Sequence, residues 1–141
     1  MLFLSYAEED WEVARQLITK LRELGIDVYD WQGRRGGQFI GQIQRAISQA
    51  DGFVVLMSPH FLASQWCRDE WEYALQLEHE MQIGNKDYVF IYVLKVADTP
   101  RAAAGFLSTR DWLDITGHRD KDEMIAILAD TLTPSTAAAL H

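Results

Sequence analysis

Five consecutive apolar residues, Phe53-Val54-Val55-Leu56-Met57, leave that segment no polar face to turn toward water. A half-exposed surface strand alternates apolar and polar positions, so an unbroken run reads as a strand buried on both faces, in the middle of a covered parallel sheet. Tyr88-Val89-Phe90-Ile91-Tyr92-Val93-Leu94 reads as a second strand of the same kind. Parallel neighbours need crossovers, and helical patterns flank both runs. Val13, Ala14, Leu17, Ile18, Leu21 and Leu24 recur at helical spacing, with Glu8, Glu9 and Asp10 at the N-terminal end and Gly25 at the stop. Phe39, Ile40, Ile43, Ala46, Ile47 and Ala50 trace a second stripe. Cys67, Trp71, Ala74, Leu75 and Met81 trace a third, ended by Gly84-Asn85. Short strand patterns at Leu2–Ser5, Ile26–Tyr29 and Trp112–Ile115, an irregular or weakly helical stretch from Asp98 to Leu107, and a last helix over 123–132 complete the chain.

Strand and helix signals in alternation predict a flavodoxin-like doubly wound α/β domain, with about five parallel strands and helices on both faces. The 141 residues, 48% hydrophobic and 24% charged, suit one such domain. Residues 1–133 are expected to form it, with 134–141 a frayed end or the start of a linker to a C-terminal domain. A net charge of −8 repels phosphate backbones and anionic membranes, so neither nucleic acid nor membrane is an expected partner. The lone Cys67 permits no internal disulfide, no apolar run approaches membrane-spanning length, and Met1-Leu2-Phe3-Leu4 shows no secretory signal; a cytoplasmic setting is expected. His60, His79, His118 and His141 lack metal-ligand spacing, and no metal is expected.

Open α/β sheets bind ligands beyond the C-terminal ends of their strands, and the segment Ser58 to Glu70 follows the central strand there. Trp66 and Glu70 stand one helical turn apart and share a face. The plainer alternatives are a solvated glutamate and a packing tryptophan. Asp69 and Glu72 should point off that face into solvent, and Cys67 reads as a buried helix residue with no base nearby to activate it. The loop Asp30 to Gln38 carries Gly33, Gly36 and Gly37 beside Arg34 and Arg35. Its amides and guanidinium groups suit a pyrophosphate, while a solvated turn is the alternative. No nucleophile elbow is present. The first strand is followed by Ser5-Tyr6-Ala7 and the third ends in Met57-Ser58, which argues against a phosphoacceptor receiver with its acidic residues at those places.

Phe3-Leu4-Ser5-Tyr6, the loop from Gly33 to Phe39, Ser58-Pro59 with Trp66-Cys67-Arg68-Asp69-Glu70, and Trp112-Leu113 together resemble, in order and spacing, a Toll/interleukin-1 receptor (TIR) domain. The likeness covers nearly the whole chain and looks most like the bacterial immune-type, NAD-cleaving branch. It implies one of two functions: cleavage of the nicotinamide-ribose bond of NAD⁺ by a glutamate in a Trp-x-x-x-Glu arrangement, or association with other TIR domains without chemistry. By position, the resemblance makes Glu70 the catalytic carboxylate and Trp66 a wall of the nicotinamide-side pocket. It makes Ser5, Tyr6, Trp31, Gly37 and Phe39 further substrate-binding residues, and Arg34, Arg35 and Gly36 part of a self-association loop.

The resemblance further implies NAD⁺ as substrate with no separate cofactor, and nicotinamide with ADP-ribose or a cyclic isomer as products. It implies activation by packing against other TIR domains in a homo-oligomer or filament, a sensor domain in the same or a partner chain, and a role in antiviral defence. Two departures touch the substrate contacts: the loop has no proline, and Ala7-Glu8 follow Tyr6 where some NAD⁺-cleaving members carry arginine. A nucleoside deoxyribosyltransferase shares the general fold and a carboxylate at the anomeric carbon, but the tryptophan-rich motif and Trp112-Leu113 argue against it.

Overall fold

A computed structural model describes residues 1–29, 40–116 and 123. Strand β1 (Leu2–Ser5) lies between β2 (Val28–Tyr29) and β3 (Gly52–Met57), followed outward by β4 (Ile91–Lys95) and β5 (Trp112–Asp114), giving the order β2-β1-β3-β4-β5. Every pairing is parallel, as the two-sided apolar runs require. All six residues of β3 and all four of β1 are buried, so both faces of the central sheet are covered. Phe3 stacks on Tyr29 and on Phe53 at 5.4 Å each, so the register pairs Phe3 with Tyr29 and Phe3 with Phe53 are also aromatic contacts that pin the three strands together.

The connections are α1 (Trp11–Glu23), α2 (Ile40–Gln49), the short α3 (Pro59–Ala63), α4 (Gln65–Gly84), and a nine-residue 3-10 segment, Arg101–Thr109, between β4 and β5. Ala14, Leu17, Ile18 and Leu21 of α1 are buried as the stripe predicts. Leu24 is exposed instead: the chain turns at Gly25, whose φ of 84° a side chain would disfavour, and Leu24 already lies past the packed face.

Three other expectations need correcting. Met81 is exposed, because the buried line of α4 runs Cys67, Glu70, Trp71, Ala74, Glu78 and reaches the start of β4 at Glu78, beyond which the helix overruns the sheet. The β4 ladder starts at Ile91 rather than Tyr88, since the amides of Phe90 and Ile91 both donate to the Glu78 carboxylate, at 2.9 and 3.0 Å. The second strand is confined to Val28–Tyr29, because the Ile26 amide donates to Leu21 O in the turn that closes α1. The loop Asp30 to Gln38 with Phe39, the helix expected over 123–132 apart from Glu123, and the domain boundary at 133 lie outside the described residues. No helix among the described residues is long and apolar enough to cross a membrane.

Candidate functional site

Two serines shape the chain after β3. Ser58 is extended and accepts a hydrogen bond from the Phe61 amide at 3.0 Å, and Pro59 follows as the first residue of α3, where its missing N–H costs nothing. Ser58 Oγ also donates to Asp10, tying this turn to the one after β1. Six residues on, Ser64 breaks the helix and caps α4 by accepting from the Cys67 amide at 3.2 Å. This second start fixes the phase of α4, so that Cys67, Glu70, Trp71 and Ala74 face inward.

Glu70 is therefore carried into the core, where it is 3% exposed. A buried carboxylate is costly unless hydrogen-bonded, and each oxygen has a donor: Ser5 Oγ donates to Oε1 at 2.8 Å and Trp66 Nε1 donates to Oε2 at 3.0 Å. Ser5 is the last residue of β1 and points to the same face as Phe3, toward α4. Glu70 stands in the second turn of its helix, where the dipole has largely faded, so these directed donors hold the side chain in place.

The structure thus brings Ser5, Trp66 and Glu70 together at the C-terminal edge of the sheet. Tyr6 is next to them in sequence but 1% exposed, with its ring packed on Trp11 at 6.1 Å. Trp31, Arg34, Arg35, Gly36, Gly37 and Phe39 lie outside the described residues. Ile43, Gln44 and Ile47 of α2, with Asp69 and Tyr73 of α4, join Trp66 and Glu70 around a cavity of only about 30 Å³. Sequence reasoning did not place Ile43, Gln44, Ile47 or Tyr73 at the site, although Ile43 and Ile47 are one turn apart and Tyr73 stands three residues after Glu70, on the same helix face. Asp69 is exposed as expected, yet it borders this cavity and accepts a 2.9 Å hydrogen bond from Gln65.

Beside the site, at the same edge of the sheet, an open hollow of about 530 Å³ is lined by Ala7, Glu8, Glu9, His60, Ala63 and Ser64. Its charge comes from carboxylates, with His60 Nδ1 3.7 Å from Glu9, so its described lining suits hydroxyls or cationic groups rather than a diphosphate. Among the described residues, no group of three or more His, Cys, Asp or Glu side chains is placed to hold a metal ion.

A second buried glutamate lies two turns further along α4. Glu78 is 2% exposed, accepts from the amides of Phe90 and Ile91, and pairs with Arg110 through Nη2–Oε1 at 2.6 Å and Nη1–Oε2 at 3.0 Å. Burial pushes its carboxyl pKa up, but the Arg110 hydrogen bonds, the two amides and the Arg110 charge outweigh this and hold it below the ordinary carboxylate value. Arg110 Nη1 also donates to Ile91 O at 2.9 Å, which fastens α4, β4 and the approach to β5 at one point. Nearby, the Arg101 guanidinium lies 4.6 Å from the centroid of the Trp112 ring, whose Nε1 donates to Leu107 O.

A five-stranded parallel α/β sheet in the order β2-β1-β3-β4-β5, with a carboxylate held at the C-terminal strand edge, defines a class of doubly wound domains that use this edge for ligands. A family model for the TIR domain matches residues 2–129, and the chain belongs to that family. A comparison with curated protein sequences finds no match. Among solved structures, the chain is similar to the TIR domain of the Toll-related receptor TRR-2 from Hydra magnipapillata, with a TM-score of 0.69 and 24% identity over 94% of this chain and 97% of that one. The TIR domains of the activated Roq1 resistosome, which directly recognises the pathogen effector XopQ, match with a TM-score of 0.71 and 19% identity over 92% of this chain and 98% of that one. A metazoan TIR-STING receptor from C. gigas, solved with 2',3'-cGAMP, matches with a TM-score of 0.71 and 18% identity over 89% of this chain and 38% of that longer chain. At these identities the structural likeness speaks for the fold.

Proposed function

We propose that this TIR domain is an NAD⁺ glycohydrolase of the bacterial immune type that cleaves the nicotinamide-ribose bond, leaving ADP-ribose or a cyclic isomer, with Glu70 as the catalytic carboxylate. The observation that carries the reading is a buried glutamate fixed by Ser5 and Trp66 at the ligand-binding edge of the sheet. Nicotinamide leaves NAD⁺ as a neutral molecule, so no general acid is needed to protonate it and one carboxylate can suffice, unlike the pair used by ordinary glycosidases. Positive charge builds on the ribose as the bond breaks. An anion roughly 4 Å away is worth about 4 kcal/mol at an effective dielectric near ~20, on the order of a thousandfold in rate.

The cavity of about 30 Å³ beside Glu70 has room for one or two waters and none for a nucleotide. In this reading the substrate site is completed by packing of neighbouring TIR domains into an oligomer or filament, triggered by a sensor domain in the same or a partner chain. Antiviral defence in the cytoplasm is the setting this reading carries. The small size of this cavity favours the second reading, an enzymatically silent module that associates with other TIR domains. Nicotinamide release from NAD⁺ by concentrated, assembled protein separates the two. Release that is lost in Glu70→Gln supports the enzyme, and turnover undiminished by that change removes Glu70 from the reaction.

A further inference from the structure

We propose that Ser5 is a positioning residue for the Glu70 carboxylate rather than a substrate contact, so that β1 sets the geometry of the reacting group from beneath; this rests on the NAD⁺-cleaving reading above. Ser5 is buried and spends its one O–H donor on Glu70 Oε1 at 2.8 Å, so its hydroxyl is directed at the carboxylate. Its backbone is held in register with Val55 of β3, one of the most enclosed strands of the sheet. Trp66 and Glu70 share a helix, so the indole alone would let the carboxylate move with any shift of α4. The Ser5 hydroxyl adds a donor from a different element, on the oxygen opposite the one the indole holds, and the two bonds together define the carboxylate plane as well as its position. Among the described residues, the titratable neighbours that share the small cavity with Glu70 are Asp69 and Tyr73 of α4, while α2 brings Ile43, Gln44 and Ile47, none of them charged.

The test compares the wild-type chain with Ser5→Ala, Ser5→Thr and Trp66→Phe in two independent measurements. One is kcat and KM for NAD⁺ in the assembled state; the other is an NMR titration of the Glu70 side-chain carboxyl, which needs no activity. Loss of a hydrogen bond to a charged group predicts that Ser5→Ala lowers kcat by about tenfold to a hundredfold and leaves KM within about threefold. The Glu70 midpoint should rise by about one pH unit, and Ser5→Thr, which keeps the hydroxyl on a strand that favours branching, should restore both values. Trp66→Phe should raise the midpoint too, by removing the donor to the other oxygen. A raised KM with unchanged kcat in Ser5→Ala would make Ser5 a substrate contact and overturn the proposal. An unchanged Glu70 midpoint would overturn it as well. A wild-type protein that releases no nicotinamide in any assembled state defeats the NAD⁺ reading alone, and the titration still decides what Ser5 does to Glu70.

Discussion

Helix α4 carries two buried glutamates eight residues apart, and their surroundings differ in kind. Glu78 meets a fork of Arg110 and two backbone amides at the N-terminal start of β4. Glu70 meets the hydroxyl of Ser5 and the indole of Trp66 at the opposite, C-terminal end of the strands. A carboxylate matched by a cation and by fixed amides is committed to those partners, and its protonation or removal is felt as instability. The donors from Ser5 and Trp66 are neutral groups that orient their carboxylate by hydrogen bonding. Burial alone therefore does not assign a role to either acid; the two differ in the nature of their donors and in the end of the sheet they occupy, and the proposed function assigns the chemistry to Glu70.

The contrast can be broken most directly at Glu70. Glu70→Gln keeps the shape of the side chain and should cut nicotinamide release on the order of a thousandfold while shifting the urea midpoint little. Removing one partner of the other pair should reverse that pattern. Arg110→Ala leaves Glu78 buried and unpaired and should cost about 3–5 kcal/mol in urea unfolding, with the double change to Glu78→Gln and Arg110→Met recovering much of the loss. If Arg110→Ala proves neutral, the structural half of the comparison is wrong.

Acid should expose the same difference. Because the folded pKa of Glu78 lies below its unfolded value, its contribution is fully present above the unfolded pKa of about 4.5 and is lost as pH falls through the lower, folded value. Wild-type stability should decline on acidification below about pH 4.5, and a Glu78→Gln protein should show a shallower decline when urea midpoints are compared across that range. The smallest effect is expected at the shared origin of the two sites. Ser64→Ala removes the cap of α4 and should cost about 1 kcal/mol in thermal or chemical unfolding, without singling out either glutamate.

Much of the fold was legible because it rests on runs and periods. The two-sided apolar run Phe53 to Met57 is the buried β3, and Gly84-Asn85 does end α4. The Trp66–Glu70 pair was legible as a shared helix face, since four residues make a turn whatever the surroundings. The burial of Glu70 was not, because a charged residue in an apolar stripe reads as a gap in it. What fills that gap is Ser5, 65 positions away, and no local pattern reports such a partner. Glu78 was hidden for the same reason, with Arg110 32 positions distant. Met81 was misread in the opposite sense: its period is right, but period says nothing about where the sheet beneath a helix stops.

The 65-residue reach of the Ser5–Glu70 hydrogen bond also orders events in time. On the ribosome, β1 is made first, yet its serine has nothing to donate to until β3 has paired with it and α4 has been synthesised and laid across both. Contacts of such sequence separation form late and slow the search for the native state. A partly synthesised chain can therefore hold helix α1 without holding the Glu70 carboxylate in place, and under the proposed function the domain would have no competent site until most of it has been built.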